Sequence, residues 1–239
     1  VQLGDPTNRG FTLIELSVVL VVVALLLGSL LVPLTTQVTQ RNVSEAQELL
    51  DQTREALIGF AMANGRLPRP APNAADGLER STDCPTAVEC TGFLPWATLG
   101  LAATDVWGKR LRYSVTPAFA SAATPFSLSS VGDKIVVGRN SGGTFNLTSG
   151  VPAVILSYGA NHYGTKEDGT EFPDDSAGNA DEDANDAKFK CTVATDCNNF
   201  FSRVLSTNTA ATGGEFDDML VWVPSGILFS RMVAAGKLP

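Results

Sequence analysis

Residues 11–34 form an apolar run whose one charged side chain is Glu15. A helix needs about 20 predominantly apolar residues to cross a bilayer, and this run supplies them. Such a stretch has no place on the surface of a soluble domain, so it divides the 239-residue chain. The run itself belongs in lipid or in a bundle of like helices. The remainder is long enough for one globular head, or at most two small domains.

Three readings compete for the run. A secretory signal peptide carries its positive charge before the apolar core and a small-residue cleavage site after it. Arg9 supplies the charge, but the far end, Gly28 to Leu34, is filled mostly by bulky residues. A plain membrane anchor leaves Glu15 unexplained. A carboxylate in an apolar helix is costly in lipid, and such residues are normally kept for a partner or a function. No basic residue follows it within a helical turn. The third reading is a precursor that is cut just before the helix.

The residues favour the third. Arg9-Gly10-Phe11-Thr12-Leu13-Ile14-Glu15 resembles the cleavage and methylation motif of type IV prepilins and type II secretion pseudopilins. The resemblance implies that prepilin peptidase cuts between Gly10 and Phe11, and that Phe11 becomes the N-methylated terminus. It also implies that Glu15 pairs with the N-terminal amine of a neighbouring subunit during assembly. Physically, an ammonium and a carboxylate attract strongly in a low-dielectric bundle, whereas an unpaired carboxylate is penalised. The implied partners are other pilin or pseudopilin subunits, prepilin peptidase and an inner-membrane assembly platform. The implied location is a single-pass inner-membrane protein with a periplasmic head, which becomes part of a periplasmic or extracellular filament. The chain opens on Val1 rather than Met, so a leader longer than residues 1–10 is compatible with it.

Within the run, Pro33 removes a backbone donor and is expected, with Gly28, to kink or loosen the helix. Beyond it the pattern turns amphipathic. Val43, Ala46, Leu50, Thr53, Leu57 and Phe60 recur at spacings of three and four, with Glu45, Glu48, Asp51, Arg54 and Glu55 between them. That is a helix with one buried stripe. Asn64-Gly65 stops it, and Pro68 cannot continue it. One helix from Phe11 to Ala63 is expected, about 80 Å long at 1.5 Å per residue.

The rest reads as a small antiparallel β-sheet with long loops, making the whole chain α+β. The expected division is a leader at 1–10, a membrane or filament-core helix at 11–34, its amphipathic continuation at 35–64 and a head at 65–239. Residues 66–72 read as an extended, proline-rich connector, and 92–100 as an irregular packing segment. Strands are expected at Leu111–Val115, Phe126–Leu128, Lys134–Val137, Ala153–Ser157 and Met219–Val223. The last is apolar on both faces and reads as central. A short helix is expected at Ile227–Ala235.

Parts of the head also resemble the major pseudopilins. Asp105-Val-Trp107-Gly108 followed by Tyr113 is similar to their turn into a strand, with Trp107 and Tyr113 filling the core. Ser157 to Asn161, and Phe216-Asp217-Asp218 before Trp222, resemble their calcium-loop region. Two departures stand out: Asn161 replaces the usual aspartate, and residues 162–215 make a far longer loop. Asp181, Asp183 and Asn185 give alternating oxygen ligands of the kind calcium loops use, but Asp186 stands where the turn glycine belongs and Thr192 where the bidentate glutamate belongs. No cofactor is required by this reading; a structural calcium on Asn161, Asp181, Asp183, Asp217 and Asp218 is compatible with it.

Composition adds exclusions. The net charge of −8, with acid concentrated between Glu167 and Asp186 and no basic cluster, argues against a nucleic-acid partner. Cys84 and Cys90 have five residues between them, as do Cys191 and Cys197. An even count behind an export-type N-terminus points to disulfides, with connectivity left open. His162 is the one histidine, read as a surface or packing residue, and no nucleophile–base arrangement accompanies it, so the chain is not read as an enzyme. The leading functional reading is a structural subunit, a pseudopilin or minor pilin, of a type II secretion pseudopilus or a type IV pilus. The alternative is a membrane-tethered periplasmic binding or adhesive head, at a filament tip or elsewhere, with 162–215 as its recognition loop. An anchored enzyme ranks last.

Overall fold

The computed structural model describes residues 11–238, with the side chains of 27–35 left aside. Gly10 and the leader therefore lie outside the described residues, while Gly28 and Pro33, where a kink or loosening is expected, fall within one helix, Leu13–Asn64. The chain divides into two units, Val1–Val43 and Ser44–Pro239.

Helix α1 covers Leu13–Asn64. In its first unit, every described side chain from Phe11 to Leu26 is exposed. Phe11 is 85% exposed and Leu13 87%. An apolar helix bare on all sides requires lipid or neighbouring helices around it. Among the described residues no helix is long and apolar enough to cross a membrane, and the apolar run of the sequence continues into residues 27–35.

In the second unit the last turns of α1 bury a stripe of Ala46, Leu50, Thr53, Leu57, Ile58 and Ala61. Each buried leucine or isoleucine there contributes roughly 1.5–3 kcal/mol. Phe60, expected on the stripe, is instead half-buried beneath the Arg66 guanidinium, 5.4 Å from its ring centroid. The helix ends as its sequence predicts: Gly65 turns left-handed at φ 76° and donates to Ala61 O, and Asn64 Nδ2 donates to Phe60 O.

Among the described residues the head contains two sheets. The first pairs β1 (Thr91–Phe93), β2 (Arg112–Val115), β5 (Ala153–Ser157) and β7 (Met219–Val223) in the order β1-β2-β5-β7, all antiparallel. Strand β5 is buried along its whole length. Strand β7 is an edge, not the central strand its sequence suggested. Apolar residues on both faces report cover on both faces, and that is independent of how many neighbours a strand has. The second sheet has the order β4-β3-β6, built from β3 (Lys134–Asn140), β4 (Gly143–Val151) and β6 (Asn199–Phe201). Its β3–β6 pair is parallel. Val136, Val151, Val154, Leu156, Tyr158, Phe189, Phe200 and Leu220 form a common core.

Short helices α2 (Trp96–Leu99) and α3 (Pro117–Ala120), then α4 (Ala180–Phe189) and α5 (Ser225–Ala234), complete the head. Residues 126–128 are not a strand. Phe126 packs on Phe119 and Phe229, while Ser127 N–H turns back to Ser130 Oγ. Phe-Ser-Leu after a proline is too short an alternation to hold a strand, and it made a local turn instead of finding a ladder. Cys84 bonds to Cys90 and Cys191 to Cys197, and no free cysteine remains.

Candidate functional site

Two of the polar clusters among the described residues include residues singled out by the sequence. The first is the start of α1. Thr12 precedes the helix and Glu15 lies in its first turn. The Thr12 N–H and hydroxyl both donate to Glu15 Oε2, at 2.8 and 3.0 Å, and Glu15 N–H returns a bond to Thr12 Oγ1 at 3.3 Å. This is the reciprocal capping box that a Thr-x-x-Glu sequence makes possible. It satisfies helix-end donors and holds the carboxylate beside the backbone nitrogen that follows Phe11. Both Phe11 and Glu15 are exposed.

The second place is in the head, where the turn from Asp105 enters β2. Asp105 Oδ1 accepts from the N–H groups of Trp107 and Lys109, and its Oδ2 accepts from Ser157 Oγ on β5 at 2.7 Å. Gly108 makes the turn at φ 74°. Burial pushes the Asp105 carboxyl up against these bonds. Trp107 is half-buried rather than a core residue, while Tyr113 is fully buried and donates to Pro68 O.

That turn projects Lys109 into the head against the loop following β5. On the same loop, Ala160 and Asn161 donate their N–H groups to Asp217 Oδ2, at 2.8 and 2.7 Å. Glu182 of α4 accepts from Asp217 N–H through Oε1. Asp218 Oδ2 accepts from Asn185 Nδ2. Glu182, Asp217 and Asp218 thus each bring a carboxylate oxygen within 4.8 Å of the others. Glu182 is 1% exposed, and among the described residues its Oε2 has no partner; neither has Asp217 Oδ1. Burial, with Asp217 nearby, pushes Glu182 up to about 7. Burial also raises Asp217, and raises Asp218 well above the usual carboxylate range with help from the charges of Glu182 and Asp217. Orphaned, buried, hard oxygen donors fit a hard divalent cation such as calcium better than any soft metal.

Residues 6–31 match the family model described as the prokaryotic N-terminal methylation motif. The chain carries the signature of type IV pilins and pseudopilins. That match supports a pilin-like structural subunit, one that is membrane-anchored, handled by prepilin peptidase and assembled with other pilin subunits. No curated protein and no solved structure matches the chain.

In the head, the remaining sequence-derived candidates fall as follows. Asn161 reaches the acid cluster through its backbone N–H. Asp181 and Asp183 lie on α4 instead of in a loop. Asp181 is fully buried against Arg139 and Arg203, and Asp183 accepts from the Tyr163 hydroxyl. His162 is neither loose surface nor apolar packing. Its Nδ1 contacts Asp175 and its Nε2 lies 3.1 Å from Glu215 Oε1. Burial would lower this histidine, but bonds to Asp175 and Glu215 outweigh it and raise it. Glu182 and Lys109 were not singled out by sequence reasoning. The readable signal was acid at Asp181, Glu182 and Asp183 with Lys188 six or so residues on, the charge order of a helix start and end.

Proposed function

We propose that this chain is a pseudopilin or minor pilin of a type II secretion pseudopilus or a type IV pilus. Prepilin peptidase cuts after Gly10, the apolar segment from Phe11 stores the subunit in the inner membrane, and the head stands in the periplasm. Assembly exchanges lipid around the apolar helix for neighbouring helices, while the new Phe11 amine of one subunit meets Glu15 of the next. The observation that carries the reading is the methylation motif over residues 6–31, with Glu15 at the head of a helix whose described side chains as far as Leu26 are all exposed. An ammonium arriving at a carboxylate in that setting is strongly favourable, and its absence leaves the acid unpaired.

Glu15→Ala is expected to insert and be cut normally but to lower filament yield roughly tenfold or more. Wild-type yield in that variant overturns the pairing. Mass spectrometry of the mature N-terminus is expected to find methylated Phe11 as the first residue. A second part of the reading concerns the head. A structural calcium ion is proposed on Glu182, Asp217 and Asp218, supported by the unpartnered Glu182 Oε2 and Asp217 Oδ1.

A further inference from the structure

Lys109 is 2% exposed. Its ammonium donates to three backbone carbonyls of one loop: Tyr158 O at 3.5 Å, Asn161 O, and His162 O at 2.8 Å. The loop is bent to make this possible. His162 and Tyr163 hold φ values of 25° and 46°, uncommon for residues with a Cβ. At Gly164 a Cβ would meet Lys109 Cδ at 2.8 Å, and at Gly159 it would meet Asp217 O at 2.4 Å. Asn161 joins the two sides, its N–H on Asp217 and its carbonyl on Lys109. The loop therefore turns donors toward the carboxylates and acceptors toward the ammonium.

A hard divalent cation takes six to eight oxygens, and backbone carbonyls commonly complete the set that carboxylates begin. Here the carbonyls beside the cluster are already held by a cation that belongs to the chain. We propose that Lys109 is a tethered competitor for a divalent cation at the Glu182–Asp217–Asp218 cluster, keeping the loop carbonyls and one positive charge in place and so making the site weak. The proposal rests on the reading that the cluster takes calcium. Burial pushes the Lys109 ammonium below its ordinary value, opposed by the charges of the three cluster acids and of Asp105.

The test is calcium titration of the full-length chain in detergent, by calorimetry and by melting temperature, with wild type, Lys109→Met and Lys109→Gln. The glutamine keeps a donor for the loop carbonyls and drops the charge, so it reports even where the methionine variant folds poorly. Both variants are expected to bind calcium about tenfold tighter than wild type or more. Both are expected to melt lower than wild type without calcium and to recover with it. Glu182→Gln added to either is expected to remove the binding. Equal affinity in wild type and both variants overturns the role of Lys109 and leaves the calcium reading standing. Binding by none of them overturns the calcium reading, and this proposal with it.

Discussion

Glu79 ties three segments of the head together. It takes a forked pair of bonds from Arg66, at 2.8 and 2.9 Å, and a third from the Arg69 N–H, while its own N–H goes to Thr98 Oγ1. Burial alone would raise its pKa, but Arg66 and Arg69 outweigh it, and the carboxyl is held below its ordinary value of 4.5. The stability it contributes is therefore present above about pH 4.5 and lost as pH falls through the lowered folded-state pKa. Glu79→Gln is expected to cost about 2 kcal/mol at pH 7, and the gap to wild type is expected to close on acidification below pH 4.5. Urea denaturation at several pH values checks both. A constant gap across that range would mean that the carboxylate charge is not what matters. The connector and the loop were each legible in the sequence. Their pairing was not, because residues 66 and 79 are joined through space by a fork geometry that no local pattern records.

Helix α4 is where an element changed the meaning of its residues. Read as a loop, Asp181, Asp183 and Asn185 alternate toward one ion. In a helix, residues two apart face different directions. Asp181 goes to two arginines, Asp183 to Tyr163, and Asn185 to strand β6. The acidic first turn suits the positive end of the helix dipole. Phe189 then packs on Phe200, 5.1 Å between ring centroids. The Asn185 amide accepts from the Phe201 N–H at 2.7 Å and donates to the Phe201 carbonyl at 3.0 Å, serving as the missing neighbour of an edge strand. Asn185→Ala leaves both groups unpaired and is expected to cost about 1–3 kcal/mol. Hydrogen exchange at Phe201 is expected to speed up with it. Unchanged protection there would show that the edge needs no cap.

At the scale of the whole molecule, the boundary between the two units falls at Val43 and Ser44. The buried stripe of α1 begins just after it, at Ala46, and continues to Ala61. A fragment of residues 44–239 is therefore expected to fold without the apolar segment and to melt cooperatively, as followed by circular dichroism. A fragment beginning at Gly65 gives up that stripe and is expected to remain unfolded or to aggregate. Cooperative melting of the shorter fragment would mean that the head core does not need the helix.

Periodicity and local chemistry are properties of neighbours in sequence, and they determined the apolar run, the motif ending at Glu15, the amphipathic turns up to Asn64, the strands at Ala153–Ser157 and Met219–Val223, and the α+β class. Strand β4 was missed because most of it is exposed on both faces and so lacks the alternation that marks a half-buried strand. Asp217 and Asp218 were legible in the sequence as calcium-loop candidates, but the cluster they enter was decided by tertiary structure. It joins Glu182 to Asp217 and Asp218 and lets Lys109 share one loop with them. Desolvation and orphaned oxygens arise only when distant segments are brought into contact, so a sequence can hold every one of those residues in plain view without stating that they meet.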